Sequence, residues 1–561
     1  MFTLRSSPSF VAKNIRFTAF AGAALTLLSS TASAADVTWN GGGANTNWNT
    51  AGNWGGTAPV SGDSLIFSGS VRPSTVNNFA AGTEFAGIRF AGGAVSFVLA
   101  GTGSGLNGIT LTGGIVNASS NLQTITLPTI LNTTQTFDTG SAGLTVGAIG
   151  GGASGVISGA GGLIKTGSGT LTLNATNTYT GATVIDEGTL LLGNSGVGAL
   201  AASTAVTVSS GALFHMGDRS ATVGSIAGDG NIAGTGNITL TTGGNNGSSV
   251  FSGNIAFTGG AGAGSLIKNG TGTLTLEGTN TYGVTTINGG TVVFRNTAAK
   301  GTGTATAQAA GSIGLGVGGT GYYNATQVAA LFNTNTLAGF SLAAGSGVAI
   351  DTSAGDFTHG ISLGGARALT KLGANTLTLS AANTYSGATT VSEGTLIVDG
   401  SVANSTTTVR SGATLGGSGT AGAIVLQNGG FLSPGSAAAG GAGTLNAASL
   451  DWSAGGVLRF NLGTTFDALL LSGSLTKSGS GTYLFDFLNS APAAGAYALV
   501  DAGAITGFSL SDFSYTNLAG TGYFTFTGNA LTFTVVPEGD FAYGLVPLAA
   551  WLAIRRRRRT R

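Results

Sequence analysis

A chain of 561 residues with 101 glycines and no cysteine excludes disulfide frameworks and thiolate metal sites, and without a strict glycine triplet it is not collagen. Hydrophobic residues at 42% argue against general disorder, while charged residues at 7% fall far below the usual share of about 25% and leave an outer surface of Thr, Ser, Asn and Gly. The formal charge of +1 hides an asymmetry: nine of the 21 Lys and Arg sit at the two ends, so the body sets 12 basic against 18 acidic residues, which disfavours nucleic-acid binding.

Arg5, Lys13 and Arg16 precede an apolar run at Phe17–Leu28 and the small-residue triplet Ala32-Ser33-Ala34. This is the grammar of a signal peptide, 1–34, with the secretion machinery and a signal peptidase as partners and cleavage between Ala34 and Ala35. The run is too short to span a bilayer.

Residues 35–142 read as an N-terminal cap followed by early coils. Trp39, Trp48 and Trp54 crowd together ahead of Pro59, Gly62, Asp63 and Phe67. Three aromatics so close could stack on carbohydrate. The simpler reading is an apolar cap over the open end of a repeat rod, which solenoids need for solubility. From Glu84 to Ser154 short strand patterns alternate with glycine turns.

Residues 143–400 hold the feature that organises the chain. Gly161–Asn194 (GGLIKTGSGTLTLNATNTYTGATVIDEGTLLLGN) returns as Ser265–Asn296 and as Ala368–Gly400. Lys165, Lys268 and Lys371 are 103 residues apart, as are Tyr179, Tyr282 and Tyr385. Each copy carries three short strands, in the first Thr170–Leu173, Ala182–Ile185 and Thr189–Leu192, with Gly or Asn in the gaps. One copy cannot bury its apolar face alone, so copies must stack. Short strands with tight corners and no helical spacing predict a right-handed parallel β-helix. At roughly 20–25 residues per coil the chain holds about 20–25 coils, a rod on the order of 100 Å long.

The phrase formed by Lys165, Gly167, Gly169, Asn177, Tyr179, Gly181 and Gly188 resembles the hallmark of the autotransporter-associated β-strand repeat family. The second copy drops a residue after Tyr282, and the third has Asn375 where glycine is usual. The Trp39–Phe67 stretch resembles the leader that opens many such proteins. The resemblance implies an exported β-helical passenger without a known reaction.

Between the second and third copies, Asn324–Phe332 (NATQVAALF) changes period. Asn324 suits an N-cap, and Val328, Leu331 and Phe332 recur at helical spacing. This predicts a short helix lying as a lid over a coil. Residues 401–536 hold degenerate coils and then a wider, Phe- and Tyr-rich closing β module.

The tail, 537–561, joins Pro537-Glu538-Gly539 to an apolar stretch at 541–554 and to Arg555, Arg556, Arg557, Arg558 and Arg559. It resembles the PEP-CTERM sorting signal, although Gly539 replaces the second proline. The resemblance implies recognition by an exosortase-type sorting enzyme, with a transient or retained membrane anchor held positive-side-in. The strand pattern of a membrane β-barrel is not legible after Ser401, so self-translocation is not expected.

Catalytic chemistry finds little support. His215 with Asp218 and Arg219 is the densest polar cluster of the body, and His359 lies near Asp356; local turn pairing accounts for both. Polysaccharide-cleaving β-helices need clustered carboxylates, whereas here Asp186-Glu187 is the only adjacent acidic pair in the body, and alternation favours placing it at a corner. The repeat lysines stand several coils apart and cannot converge. The sequence therefore predicts a non-enzymatic surface or extracellular-matrix rod without cofactor or metal, serving adhesion or assembly, with surface polysaccharide or further copies of itself as partners. The rival reading is a carbohydrate-binding or carbohydrate-degrading β-helix that uses the tryptophan region.

Overall fold

The computed structural model describes residues 34–102, 107–148, 154–193, 200–259, 263–435, 441–488, 492–518 and 520–536. Residues 1–33 and the tail, with Pro537, Glu538, the 541–554 stretch and Arg555–Arg559, lie outside the described residues. Among the described residues no helix is long and apolar enough to cross a membrane.

The described chain winds into a parallel β-solenoid whose first face stacks strands in parallel register from Asp36–Trp39 to Gly495–Thr506 in about 20 turns. At the ~4.8 Å spacing of paired strands the stack is about 95 Å long, in line with the coil count and rod length read from the sequence. The turns are uneven, from 17 residues (Val409 to Leu426) to 35 (Leu315 to Ile350, a turn that carries the helix).

In the early turns the chain visits three faces in rotation. Ser64–Phe67, Gly87–Phe90 and Ile115–Asn117 lie on the first face, Ser74–Asn77, Val98–Gly101 and Gln123–Ile125 on the second, and Thr83–Phe85, Ile109–Leu111 and Thr129–Leu131 on the third. Each strand is three or four residues long, so alternation sends two side chains inward and the rest outward. In Thr170–Leu173 the two leucines are buried and the threonines face out. Parallel pairing then stacks like on like: Leu144, Leu171 and Leu190 form one inward column, and Thr124, Thr145 and Thr172 an outward row. Interior Leu, Ile, Val and Phe columns run the length of the stack as one continuous core, each side chain contributing roughly 1.5–3 kcal/mol by its burial.

The three repeat copies are not in line along the rod. Leu163–Thr166 and Leu369–Leu372 open the first and third copies on the first face, whereas Ser265–Lys268 opens the second copy in the sheet that continues the third face. A 103-residue interval is therefore not a whole number of turns, and the second copy is rotated by one face.

The segment from Asn324 forms an α-helix over Ala325–Ala329 that continues as a π-helical turn, Ala330–Thr334. Asn324 and Gln327 close a reciprocal capping box, as the sequence allows. Val328, Leu331 and Phe332 are buried, and Phe332 meets Tyr385 edge-on with ring centroids 5.4 Å apart. The helix is a lid over the core.

Beyond Gly400 the cross-section changes. Thr420–Leu426 pairs with Ser401–Val402 through its first half and with Thr407–Val409 through its second, so two faces fuse into one. Longer strands follow, Thr444–Ser453, Ala468–Ser478 and Gly495–Thr506, bent by register shifts. Ala530–Val536 then pairs antiparallel with Gly495–Thr506, and Thr521–Thr527 pairs antiparallel with it in turn. Trp452, Phe485, Phe513 and Phe524 fill the wider interior.

Candidate functional site

The repeat phrase concentrates nearly all the recurring polar chemistry of this chain, so its residues are the first candidates for a site. Lys165 occupies an inward position, in register between Phe137 and Ile185 in an otherwise apolar column. Lys371 stands likewise between Ile350 and Val391. Both are fully buried, and Lys268 is 1% exposed. Each Nζ turns toward a corner of the solenoid. Lys165 Nζ donates to the carbonyls of Thr166, Gly167 and Glu187 at 3.0, 2.6 and 2.8 Å. Lys371 Nζ donates to those of Leu372, Gly373 and Glu393 at 2.9, 2.6 and 3.0 Å, and Lys268 Nζ bonds Asn269, Gly270 and Gly289 in the same way. Two acceptors belong to the lysine's own corner and the third to the next turn, so the ammonium pins successive turns together. Burial pushes all three amines down to about 8, while three carbonyls in donor geometry match the three protons of an ammonium.

Glycine makes those corners. Gly188, Gly290 and Gly394 adopt left-handed φ of 62°, 63° and 61°, and a Cβ on any of them would fall within 2.5 Å of a carbonyl oxygen in the turn below. Asn375, which replaces the usual glycine in the third copy, donates from Nδ2 to Thr352 O at 2.8 Å and so adds a tie to the preceding turn.

The Asn and Tyr of each copy form a second staple. Asn177, Asn280 and Asn383 accept from the backbone amides of Ile157, Ile255 and Leu363 at 2.8–2.9 Å and donate to carbonyls of their own or the following turn. Tyr179, Tyr282 and Tyr385 are buried, their hydroxyls 2.6, 2.9 and 2.7 Å from those of Thr183, Thr285 and Thr389. The residue missing after Tyr282 is absorbed because the partner threonine comes three positions later instead of four. The sequence reading did not find the lysine staple, although period-two alternation from Leu163 carries it: Leu163 points inward, so Lys165 does too.

The tryptophans are placed otherwise than a sugar platform requires. Trp39 and Trp48 are fully buried and Trp54 is 5% exposed. Their Nε1 groups donate to Val71 O, Thr75 Oγ1 and Trp48 O at 3.2, 2.9 and 2.7 Å. Trp39 and Trp54 meet edge to face at 5.2 Å, and all three rings pack on Phe67. Neither ring faces nor donors are left for a ligand, which corrects the stacking reading and favours the apolar cap.

The other polar candidates do not converge. His215 Nδ1 accepts from Gly217 N at 2.9 Å, a local turn bond, while Arg219 pairs with its neighbour Asp218 at 3.6 Å. His359 is fully buried beside Phe357, and burial holds its pKa below the ordinary histidine value. Asp186 and Glu187 lie exposed at a corner, just before Gly188. On the first face lies a groove of about 420 Å³ where Arg295 bridges Glu277 and the buried Asp351 at 3.1 Å each. One guanidinium is shared between these two acids, and Glu393 also lines the groove. Among the described residues no three His, Asp or Glu side chains gather as a metal site.

Fold and staples together define a parallel β-solenoid whose recurring polar residues hold its own corners. Comparison with known proteins agrees. Residues 163–192, 266–294 and 369–398 match the Passenger-associated-transport-repeat family, and each match spans one two-turn stapled unit. Over 147 residues the chain is 36% identical to the Adhesin BmaC autotransporter of Brucella suis biovar 1 (strain 1330). That likeness covers 24% of this chain and 4% of the relative, so the chain spans only a small part of that protein's length.

Proposed function

We propose that this chain is an exported, non-enzymatic β-helical rod that acts in adhesion or assembly at a cell surface or in an extracellular matrix. The observation that carries the reading is the fate of the repeat phrase: its Lys, Asn and Tyr are buried and bonded to the solenoid itself, leaving outer rows of Thr, Ser and Asn. The likeness to an adhesin passenger supports the same reading. In this proposal a signal peptidase removes residues 1–34, and an exosortase-type enzyme sorts the chain through Pro537, Glu538 and Arg555–Arg559.

The test is adhesion by the mature protein immobilised on beads, presented with surface polysaccharide and with a second preparation of itself. Saturable retention on either supports the proposal. Release of oligosaccharide products that stops on Asp351→Asn or Glu393→Gln substitution would replace the rod with an enzyme. Terminal mass spectrometry on surface and culture fractions tests the sorting step, which an intact arginine tail in the membrane fraction would exclude.

A further inference from the structure

Asp63 is 5% exposed, yet among the described residues no Lys, Arg or His pairs with its carboxylate. Its Oδ2 accepts from Val60 N at 2.8 Å and its Oδ1 from Ala35 N at 3.0 Å. A buried carboxylate held only by neutral donors is expensive unless a cation joins it. The position of Ala35 is fixed from both sides, because its carbonyl also accepts from Ser64 N at 2.8 Å, one residue before the first strand ladder, Asp36–Trp39 on Ser64–Phe67. Ala34 is exposed, and the Ala34–Ala35 bond is the one that the small-residue triplet marks for cleavage.

We propose that Asp63 is the built-in counter-ion for a new chain terminus at Ala35, so that removal of the leader completes an ion pair in the N-terminal cap. This rests on reading residues 1–34 as a signal peptide. In the step, water adds across the Ala34–Ala35 peptide bond. Its hydroxyl goes to the Ala34 carbonyl carbon, giving a carboxylate on the leader, and the nitrogen of Ala35 leaves as an amine that is protonated near neutral pH. One amide N–H aimed at Asp63 becomes an ammonium with three. Before cleavage the Asp63 carboxyl is met only by neutral amide donors; after cleavage one of those donors carries a positive charge. Processing thereby strengthens the end of the rod where the stack of turns begins.

The experiment has two parts. Mass spectrometry of protein recovered from producing cells reads the first residue; Ala35 is expected, and any other start overturns the proposal without touching the adhesion reading. The mature chain is then compared with one bearing a Gly-Ser extension ahead of Ala35, each with Asp63 or Asp63→Asn. The pH dependence of selective acylation should place the mature α-amine about 1–2 units above its ordinary range, and Asp63→Asn should return it. The extension should lower the urea midpoint in the Asp63 background and leave it unchanged in the Asp63→Asn background. An ordinary α-amine together with equal midpoints for extended and mature Asp63 chains would overturn the ion pair, and that comparison stands even where the Asn variant fails to fold.

Discussion

Replacing Lys371 by Met keeps the aliphatic stem and removes only the ammonium, and two effects of opposite sign then compete. Loss of the charge relieves a desolvation cost: lowering the amine from 10.5 to about 8 corresponds to about 3 kcal/mol at 1.36 kcal/mol per unit. Against this stand three charge-assisted hydrogen bonds to Leu372, Gly373 and Glu393, each worth roughly 1.5–3 kcal/mol; Met takes the ammonium donor from all three carbonyls, of which Leu372 O keeps the Thr352 amide at 3.0 Å. The bonds win, for a net loss of about 3 kcal/mol at pH 7. Urea unfolding followed by circular dichroism measures it, and hydrogen exchange at the Gly373 and Gly394 corners locates it. Lys477→Met is the control, because its pair with Asp512 is partly exposed and exposed ion pairs contribute little to stability. If Lys371→Met costs no more than this control, the ammonium does not pin the turns and the staple argument fails.

Three further outcomes follow from the same geometry. Gly394→Ala places a Cβ 2.4 Å from Gly373 O at φ 61° and should cost about 3 kcal/mol or more, whereas Gly412→Ala, at φ 79° with open space around it, should cost about 1 kcal/mol; thermal midpoints separate the two. In alkali the lysines and tyrosines act in opposite directions. Between pH 8 and 10 the unfolded chain binds more protons than the folded lysines do, so stability rises with pH. Burial holds Tyr179 and Tyr282 well above the ordinary phenol range and Tyr385 at about 12, so stability falls once the unfolded phenols ionise above about pH 10. Urea midpoints from pH 7 to 11.5 should therefore peak near pH 10, and a steady decline from pH 8 would contradict the buried amines. His359, held neutral by burial, favours the folded state above its unfolded pKa and loses that advantage as pH falls below about 6.5. His359→Leu should flatten this acid limb, with the change read from midpoints at pH 5 and pH 7.

Much of this protein is written in local pattern. Leu171 and Leu173 two apart, threonine between them and glycine at each corner specify a short strand with one dry face, and recurrence of the phrase specifies stacking. Asn324 with Gln327 specifies the start of the lid helix. These signals act over a few residues, so the sequence alone determined them. Three matters needed the tertiary structure. The length of each individual turn depended on how far its loop is drawn out, from 17 residues to 35, a length fixed by what the loop packs against. The rotation of the second copy arose because 103 residues do not close a whole number of such uneven turns. The fate of the tryptophans and lysines turned on burial, a property of neighbours brought by other turns: Phe67 and Thr75 bury the indoles of Trp39, Trp48 and Trp54, and the Glu187 and Glu393 carbonyls of the next turn give Lys165 and Lys371 their third acceptor. Residue type and spacing state which groups are present, and only the stacked backbone decides which of them face inward and are bonded there.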